Sequence, residues 1–339
     1  MSITVGLDVG GAHLKVARFE GHELVAVRQF ASPLWKGFER LGQALSSAMP
    51  LLSGAERVAI TMTGELSDLF ENRSRGVYVL SESLERGFGS KARFYLGERG
   101  FGSAADAREN PRDVSSMNYL ATAQAIGRLM PDALLIDFGS TTVDIISVCG
   151  GETAPGRCDL DRQACGALVY TGLTRTAVAS VTQTAPFKGK WVGLSREFLA
   201  TMADVRRVLG YDLEELDVHA TADGRGKSIE ESMARLARMF GSDLDDGEPS
   251  DWAQSASFIR EAQLRSVSDG AHIVLSERPI PEDAPIIAAG IGAVEVEEIA
   301  RRLSRPFKTF GQLMSLEGPV ADAATHHAPA VAVARLLAD

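Results

Sequence analysis

Cysteine is scarce in this chain: 339 residues hold three, Cys149, Cys158 and Cys165, with no CxxC pair among them. An odd set of this kind argues against a disulfide framework and leads to the expectation of a reduced, cytoplasmic protein whose thiols are small apolar fillers. Zinc held by Cys158 and Cys165 is not expected, because no histidine-rich segment accompanies them. Basic residues are also in deficit, 35 Lys and Arg against 45 Asp and Glu, for a net charge of −10. That balance argues against a general nucleic-acid or anionic-membrane binder, although an anionic small molecule needs only a local basic pocket. No apolar run approaches the roughly 18 residues of a spanning helix. The first apolar stretch contains Asp8 and has no basic leader, so a signal peptide is not expected. Low-complexity tracts and long linkers are missing too. The remaining composition, 45% apolar and 24% charged, is enough for two domains with sizeable cores.

The chain is organised around residues 3–19, ITVGLDVGGAHLKVARF, which read as a buried strand, a glycine turn and a returning strand. Gly10 and Gly11 are free to take backbone angles closed to other residues and let a ligand touch the main chain. Successive amides in such a turn suit phosphate oxygens. Asp8 stands before the turn and Lys15 after it, a carboxylate for a cation or proton and an ammonium for phosphate. Residues 134–146, LLIDFGSTTVDII, repeat the pattern with Asp137, Gly139, Ser140, Thr141 and Thr142. Two such hairpins suggest related halves facing across a cleft. A third turn, Gly290-Ile291-Gly292, follows the apolar run 284–287 and opens a helical run at 294–303, an order that suits phosphate near a helix N-terminus. Together the three turns resemble the actin, sugar kinase and heat-shock ATPase superfamily. The resemblance implies an α/β fold of two ribonuclease H-like domains around a central cleft. One domain is expected over residues 1–130 plus 321–339, the other, with insertions, over 131–320.

Along the chain, residues 23–30 read as a third strand, 38–52 as helical, 57–61 and 92–96 as strands, and 117–129 as a helix. Glu65, ending the strand and turn at 57–65, is a cleft candidate. The glycine-rich, polar stretch 98–113 reads as a mobile loop or flap. Residues 166–176, GALVYTGLTRT, are unusually polar for a domain interior. Tyr170, Thr171 and Arg175 there are candidates to face a ligand, Arg175 as an anion fork. Helices are expected at 197–209, carrying Asp204, at 229–240, at 252–268 and at 320–337. The turn 221–227 carries Asp223 and Arg225. His326 and His327 are expected on the last helix in surface or packed roles.

Several of these segments resemble something narrower. The stretches 166–176, EFLATMADV at 197–205, TADGR at 221–225, MTGELSD at 62–68 and MNYLATA at 117–123 are similar to a branch of the hydantoinase/oxoprolinase-like family. That branch is linked to tetrahydromethanopterin-dependent one-carbon transfer, and its archaeal members condense building blocks of methanofuran. The resemblance implies a transferase that joins an aminomethylfuran-methyl diphosphate to the phenol oxygen of a tyramine- or tyrosine-type acceptor, with diphosphate leaving. It is compatible with residue chemistry in which Asp8 and Asp137 hold Mg²⁺. Lys15, Gly10, Gly11, Gly139, Ser140, Thr141, Thr142, Gly290 and Gly292 would meet phosphate. Glu65, Tyr170, Thr171, Arg175 and Arg225 would meet substrate, with Asp204 or Asp223 as proton acceptor. ATP is not required in this reading. The runner-up is an ATP-dependent small-molecule kinase or hydantoinase-type ATPase, and a non-enzymatic nucleotide switch is the third possibility. The expected partners are small molecules, with no nucleic acid and no membrane, and a homo-oligomer stays open.

Overall fold

A computed structural model describes residues 2–154 and 158–338, so the extreme ends of the expected first domain, Met1 and Asp339, lie outside the described residues. Strand β1 (Ile3–Val9) is buried along almost its whole length because it is paired on both sides. Antiparallel β2 (His13–Glu20) flanks it on one side, and parallel β4 (Arg57–Met62) on the other. With β3 (Glu23–Ala31), β5 (Ala92–Tyr95) and β6 (Phe101–Gly102) the first sheet runs β3-β2-β1-β4-β5-β6. The second sheet repeats this plan. Strands β7 (Ala133–Phe138) and β8 (Val143–Cys149) form the hairpin, with β9 (Glu152–Thr153) and β10 (Leu168–Val169) pairing to β8. After a separate hairpin of β11 (Thr184–Phe187) and β12 (Lys190–Gly193), β13 (Ile286–Ala289) lies parallel to β7 and β14 (Phe307–Thr309) parallel to β13. A hairpin continued by two parallel strands, present twice, is the doubled ribonuclease H-like α/β fold that the glycine turns imply.

Two helices join the sheets. The C-terminal helix Ala328–Ala338 packs on β1, β2 and β4 and on the helix Asn118–Gly127, which in turn packs on β7 and β8. One apolar cluster therefore takes Ala17, Phe19 and Ala59 from the first sheet and Leu135, Ile146 and Val148 from the second. The helix comes so close to β1 that a Cβ on Gly6 would stand 1.9 Å from the carbonyl oxygen of Ala330. A glycine is needed in that strand for contact, not for its dihedral angles.

Several expectations are corrected. Residues 98–113 are no flap. They hold β6 and two short helices, Ala104–Glu109 and Pro111–Val114, the first closed by a Ser103–Asp106 capping box. A helix at Arg73–Phe88 went unread. The helix expected over 197–209 begins only at Met202, where Thr201 caps it through Asp204. The helix expected over 252–268 extends over Pro249–Glu277. The C-terminal run breaks at His327 into Gly318–His326 and Ala328–Ala338. Cys158 is exposed, not a core filler, and donates to Asp161 at 3.1 Å.

Candidate active site

The two hairpins face each other across a cleft of about 600 Å³. Their registers match: Asp8 pairs with Lys15 across β1 and β2, and Asp137 pairs with Asp144 across β7 and β8. Each hairpin is closed by the same bond, Gly10 N–H to His13 C=O and Gly139 N–H to Thr142 C=O, both 2.9 Å. The halves thus place equivalent carboxylates, Asp8 and Asp137, at the cleft floor. They differ at the opposing position, which is a lysine in one half and an aspartate in the other.

Lys15 is the electrostatic centre. Its Nζ donates to Asp8 Oδ2 at 2.8 Å, with a quarter of the side chain exposed and Asp8 fully buried. Burial alone would lower its pKa, but Asp8, helped by Asp137 and Asp144, raises it. Asp137 is pushed up to about 7 by burial, with Asp144 and Asp8 adding and Lys15 opposing. Asp144 is also raised by burial, against the pull of Arg162. Arg162 bonds Asp144 and, at 2.9 Å, Asp159, while its guanidinium lies 3.8 Å over the Tyr119 ring. Asp159 accepts in turn from Arg73 at 2.8 Å, a contact between the two halves.

The structure divides the sequence candidates. Gly10, Gly11, Lys15, Asp137, Gly139, Ser140, Thr141, Thr142, Tyr170, Arg175 and Gly290 line the cleft. Asp8, just beneath, is reached through Lys15. Glu65 is buried behind the wall, accepting from Ser116 at 2.9 Å, and burial lifts it to about 7 against that bond. Thr171 accepts from Gln263 in the interior at 2.6 Å. Asp204, Asp223 and Arg225 do not line the cleft among the described residues. Both oxygens of Asp204 are engaged, by Arg235 at 2.8 Å and by its own helix cap. Asp223 bonds Arg235 and Arg238, and Arg225 is mostly exposed. The expected proton acceptors on the second domain therefore belong to a neighbouring ion-pair network.

The glycine turns also need correction. Neither Gly10 nor Gly11 has a positive φ. A Cβ on Gly11 would meet nothing within 4 Å, so the space above it belongs to the cleft. The amides of Gly10 and Gly139 close their hairpins. Those of Gly290 and Gly292 donate to Thr325 and Phe138 carbonyls at 2.8 Å, so none of the four is available to a phosphate. Gly290, at φ +78°, serves packing instead: a Cβ there would stand 2.4 Å from Asp137 Oδ1. Gly292 is pressed against Phe138 and does not line the cleft.

Sequence reasoning passed over Asp144, Arg162, Trp35, His13 and His219, and treated His326 as inert although it lines the cleft. Asp144 could have been found from its spacing, seven residues after Asp137 as Lys15 is seven after Asp8. His13 sits two residues before Lys15 on β2 and so shares its face. His219 had no local signal.

Residues 56–305 match the hydantoinase/oxoprolinase family. A protein of Methanocaldococcus jannaschii, (4-{4-[2-(gamma-L-glutamylamino)ethyl]phenoxymethyl}furan-2-yl)methanamine synthase, is 32% identical over 242 residues, covering 71% of this chain and 72% of its own. The Methanococcus vannielii protein of the same name is 32% identical over 115 residues, 34% of this chain and 51% of that one. Among solved structures, nucleotide-free acetone carboxylase is 13% identical, with 89% of this chain and 67% of that chain covered and a TM-score of 0.50, a likeness of fold alone.

Proposed function

The chain belongs to the hydantoinase/oxoprolinase family, and from that premise we propose an enzyme of methanofuran-type cofactor biosynthesis that joins a furan-methyl diphosphate to a phenol. The observation that carries this reading is the 32% identity, over 71% of the chain, to a synthase whose named product is a phenoxymethylfuran. The cleft supplies the groups such a reaction asks for. Lys15 and Arg175 neutralise the diphosphate, and the Ser140 and Thr141 hydroxyls donate to it. The turn at Gly11 leaves room for its oxygens.

The carbon–oxygen bond between furan-methyl and diphosphate breaks with its electron pair going to the diphosphate. The phenol oxygen forms the new bond to that carbon. Its proton passes to the departing diphosphate, so no nucleotide is consumed. Water would capture the carbon in place of the phenol, so the reaction asks for the halves to close over it, and the Arg73–Asp159 ion pair and the His13–His219 ring contact already join them.

The floor also fits Mg²⁺. Asp8 Oδ1 is buried without a partner, and Asp137 is raised to about 7 by burial and by Asp144, as expected of a carboxylate short of positive charge. No cluster of three metal-ligating side chains occurs among the described residues, so such an ion would draw its other ligands from diphosphate and water. Bound there, Mg²⁺ supplies charge neutralisation to the leaving group. The runner-up, an ATP-dependent small-molecule kinase or hydantoinase-type ATPase, draws on Ile291, which lines the cleft just before a helix N-terminus.

Incubation with Mg²⁺, a furan-methyl diphosphate and tyramine- or tyrosine-type acceptors, without ATP, is expected to give ether and diphosphate, and Asp137→Asn to lower the rate about a hundredfold or more. No ether with any acceptor, alongside phosphorylated product or ATP hydrolysis when ATP is added, decides for the kinase.

A further inference from the structure

The cleft carries aromatic rings that the phosphate chemistry leaves unused. Trp35, 43% exposed, lines it from the loop after β3, and His13 lines it from the start of β2. His219 touches both, its ring centroid 4.7 Å from that of His13 and 5.8 Å from that of Trp35, tilted by 52° and 44°. The Arg175 guanidinium lies 5.1 Å over the indole. Tyr170, 64% exposed, lines the same cleft.

Two features set this group apart from ordinary packing. It is assembled across the halves, with His13 and Trp35 from the first and His219 and Arg175 from the second. The segment that brings His219 also puts Leu216 into the cleft and offers the Glu215 carbonyl to Gln29 Nε2 at 3.3 Å. Asp217 anchors that segment through Arg207 and, at 3.5 Å, Lys227. The second feature is polar. Nε2 of His13 and Nε2 of His219 are both buried without a hydrogen-bond partner. Burial, then His219, Lys15, Arg175 and His327, hold His13 down at about 2. His219 is lowered by burial and by Arg175, Lys227 and Lys36 against Asp217. Both rings are neutral near pH 7. A half-exposed indole at the cleft, backed by tilted neutral imidazoles whose nitrogens have no partner in the fold, makes an aromatic corner with polar atoms behind it, which suits a ring bearing one hydroxyl.

We propose that Trp35, His13 and His219 form the seat for the aromatic ring of the acceptor and select a flat phenol over an aliphatic alcohol. The inference rests on the transferase reading above and adds the residues that choose the acceptor. Steady-state kinetics with each substrate varied in turn, and calorimetric titration with tyramine and with an aliphatic amino alcohol of similar length, test it. Trp35→Ala and His219→Ala are expected to raise KM for tyramine about tenfold and KM for the furan diphosphate far less, with Trp35→Phe recovering most of the loss. In calorimetry the wild type should bind tyramine about tenfold more tightly than the amino alcohol, a preference that Trp35→Ala erases. An unchanged tyramine KM, an equal rise for both substrates, or wild-type binding that ignores the ring overturns the seat. Ring-selective binding without ether formation overturns the transferase reading and leaves the seat standing. Ether formation without ring selectivity does the reverse.

Discussion

Lys15 and Asp8 form a pair whose members are not equivalent. Asp8 is wholly buried, whereas Lys15 keeps a quarter of its side chain in solvent. Lys15→Ala strands a carboxylate in the interior, and urea unfolding should show a loss of about 3–5 kcal/mol. Asp8→Asn leaves an ammonium that can turn toward water and should cost clearly less. Equal losses would mean that the difference in burial between the two partners does not set the cost of breaking the pair. Glu65 makes a second residue-scale prediction. Its pKa is raised to about 7, so between about 4.5 and 7 the folded chain keeps a proton that the unfolded chain gives up. Stability from this group is fully present below that window and is lost as pH rises through it. Glu65→Gln should flatten the stability profile there, by on the order of 3 kcal/mol across the window, and a profile parallel to wild type would show that Glu65 does not titrate in the fold. Both carboxylates were legible as Asp or Glu at a strand end. Their surroundings were not, because the burial of both and the Ser116 partner of Glu65 come from other parts of the fold.

At the scale of elements, the hairpins were readable because apolar runs with a glycine turn between them have few other solutions. The close approach of the C-terminal helix to β1 was not readable, since nothing within 3–9 announces that a helix more than 300 residues later will press on Gly6. Gly6→Ala should therefore cost about 3 kcal/mol or more, as the helix must move off the strand. Gly42→Ala, in the helix Glu39–Ser47 with nothing within 4 Å, should instead gain up to about 1 kcal/mol. Thermal melts of the two variants check the pair, and a tolerated Gly6→Ala would refute the packing argument. The stretch 98–113 misled for a related reason. Its glycines and polar residues mimic a loop, yet Ser103 and Asp106 cap a helix and Phe101 packs edge-on against Tyr95, 5.6 Å away.

For the whole molecule, the shared layer of Asn118–Gly127 and Ala328–Ala338 joins the two sheets in one apolar cluster, so they are expected to unfold as one cooperative unit. Native-state hydrogen exchange should give the slowest amides of β1 and β7 the same opening free energy. A gap of more than about 2 kcal/mol between the sheets would mean that they unfold separately. Contacts across the cleft among the described residues include Arg73 with Asp159 and His219 with His13 and Trp35. No helix among the described residues is long and apolar enough to cross a membrane.

By itself the sequence determined the doubled hairpin plan, the strands that carry Asp8 and Asp137, and the family, because each is written in local spacing or in contiguous motifs. Only the tertiary structure decided which polar residues share the cleft. Asp204 and Asp223 stood out in the sequence and Asp144 did not, yet Arg235 claims the first two while Asp144 lies opposite Asp137. His219 meets Trp35 across 184 positions of chain, and Arg175 meets it across 140. Such meetings are set by how two sheets close on shared helices. A carboxylate or imidazole takes its function from the charge and burial found there, neither of which is encoded by its neighbours in sequence.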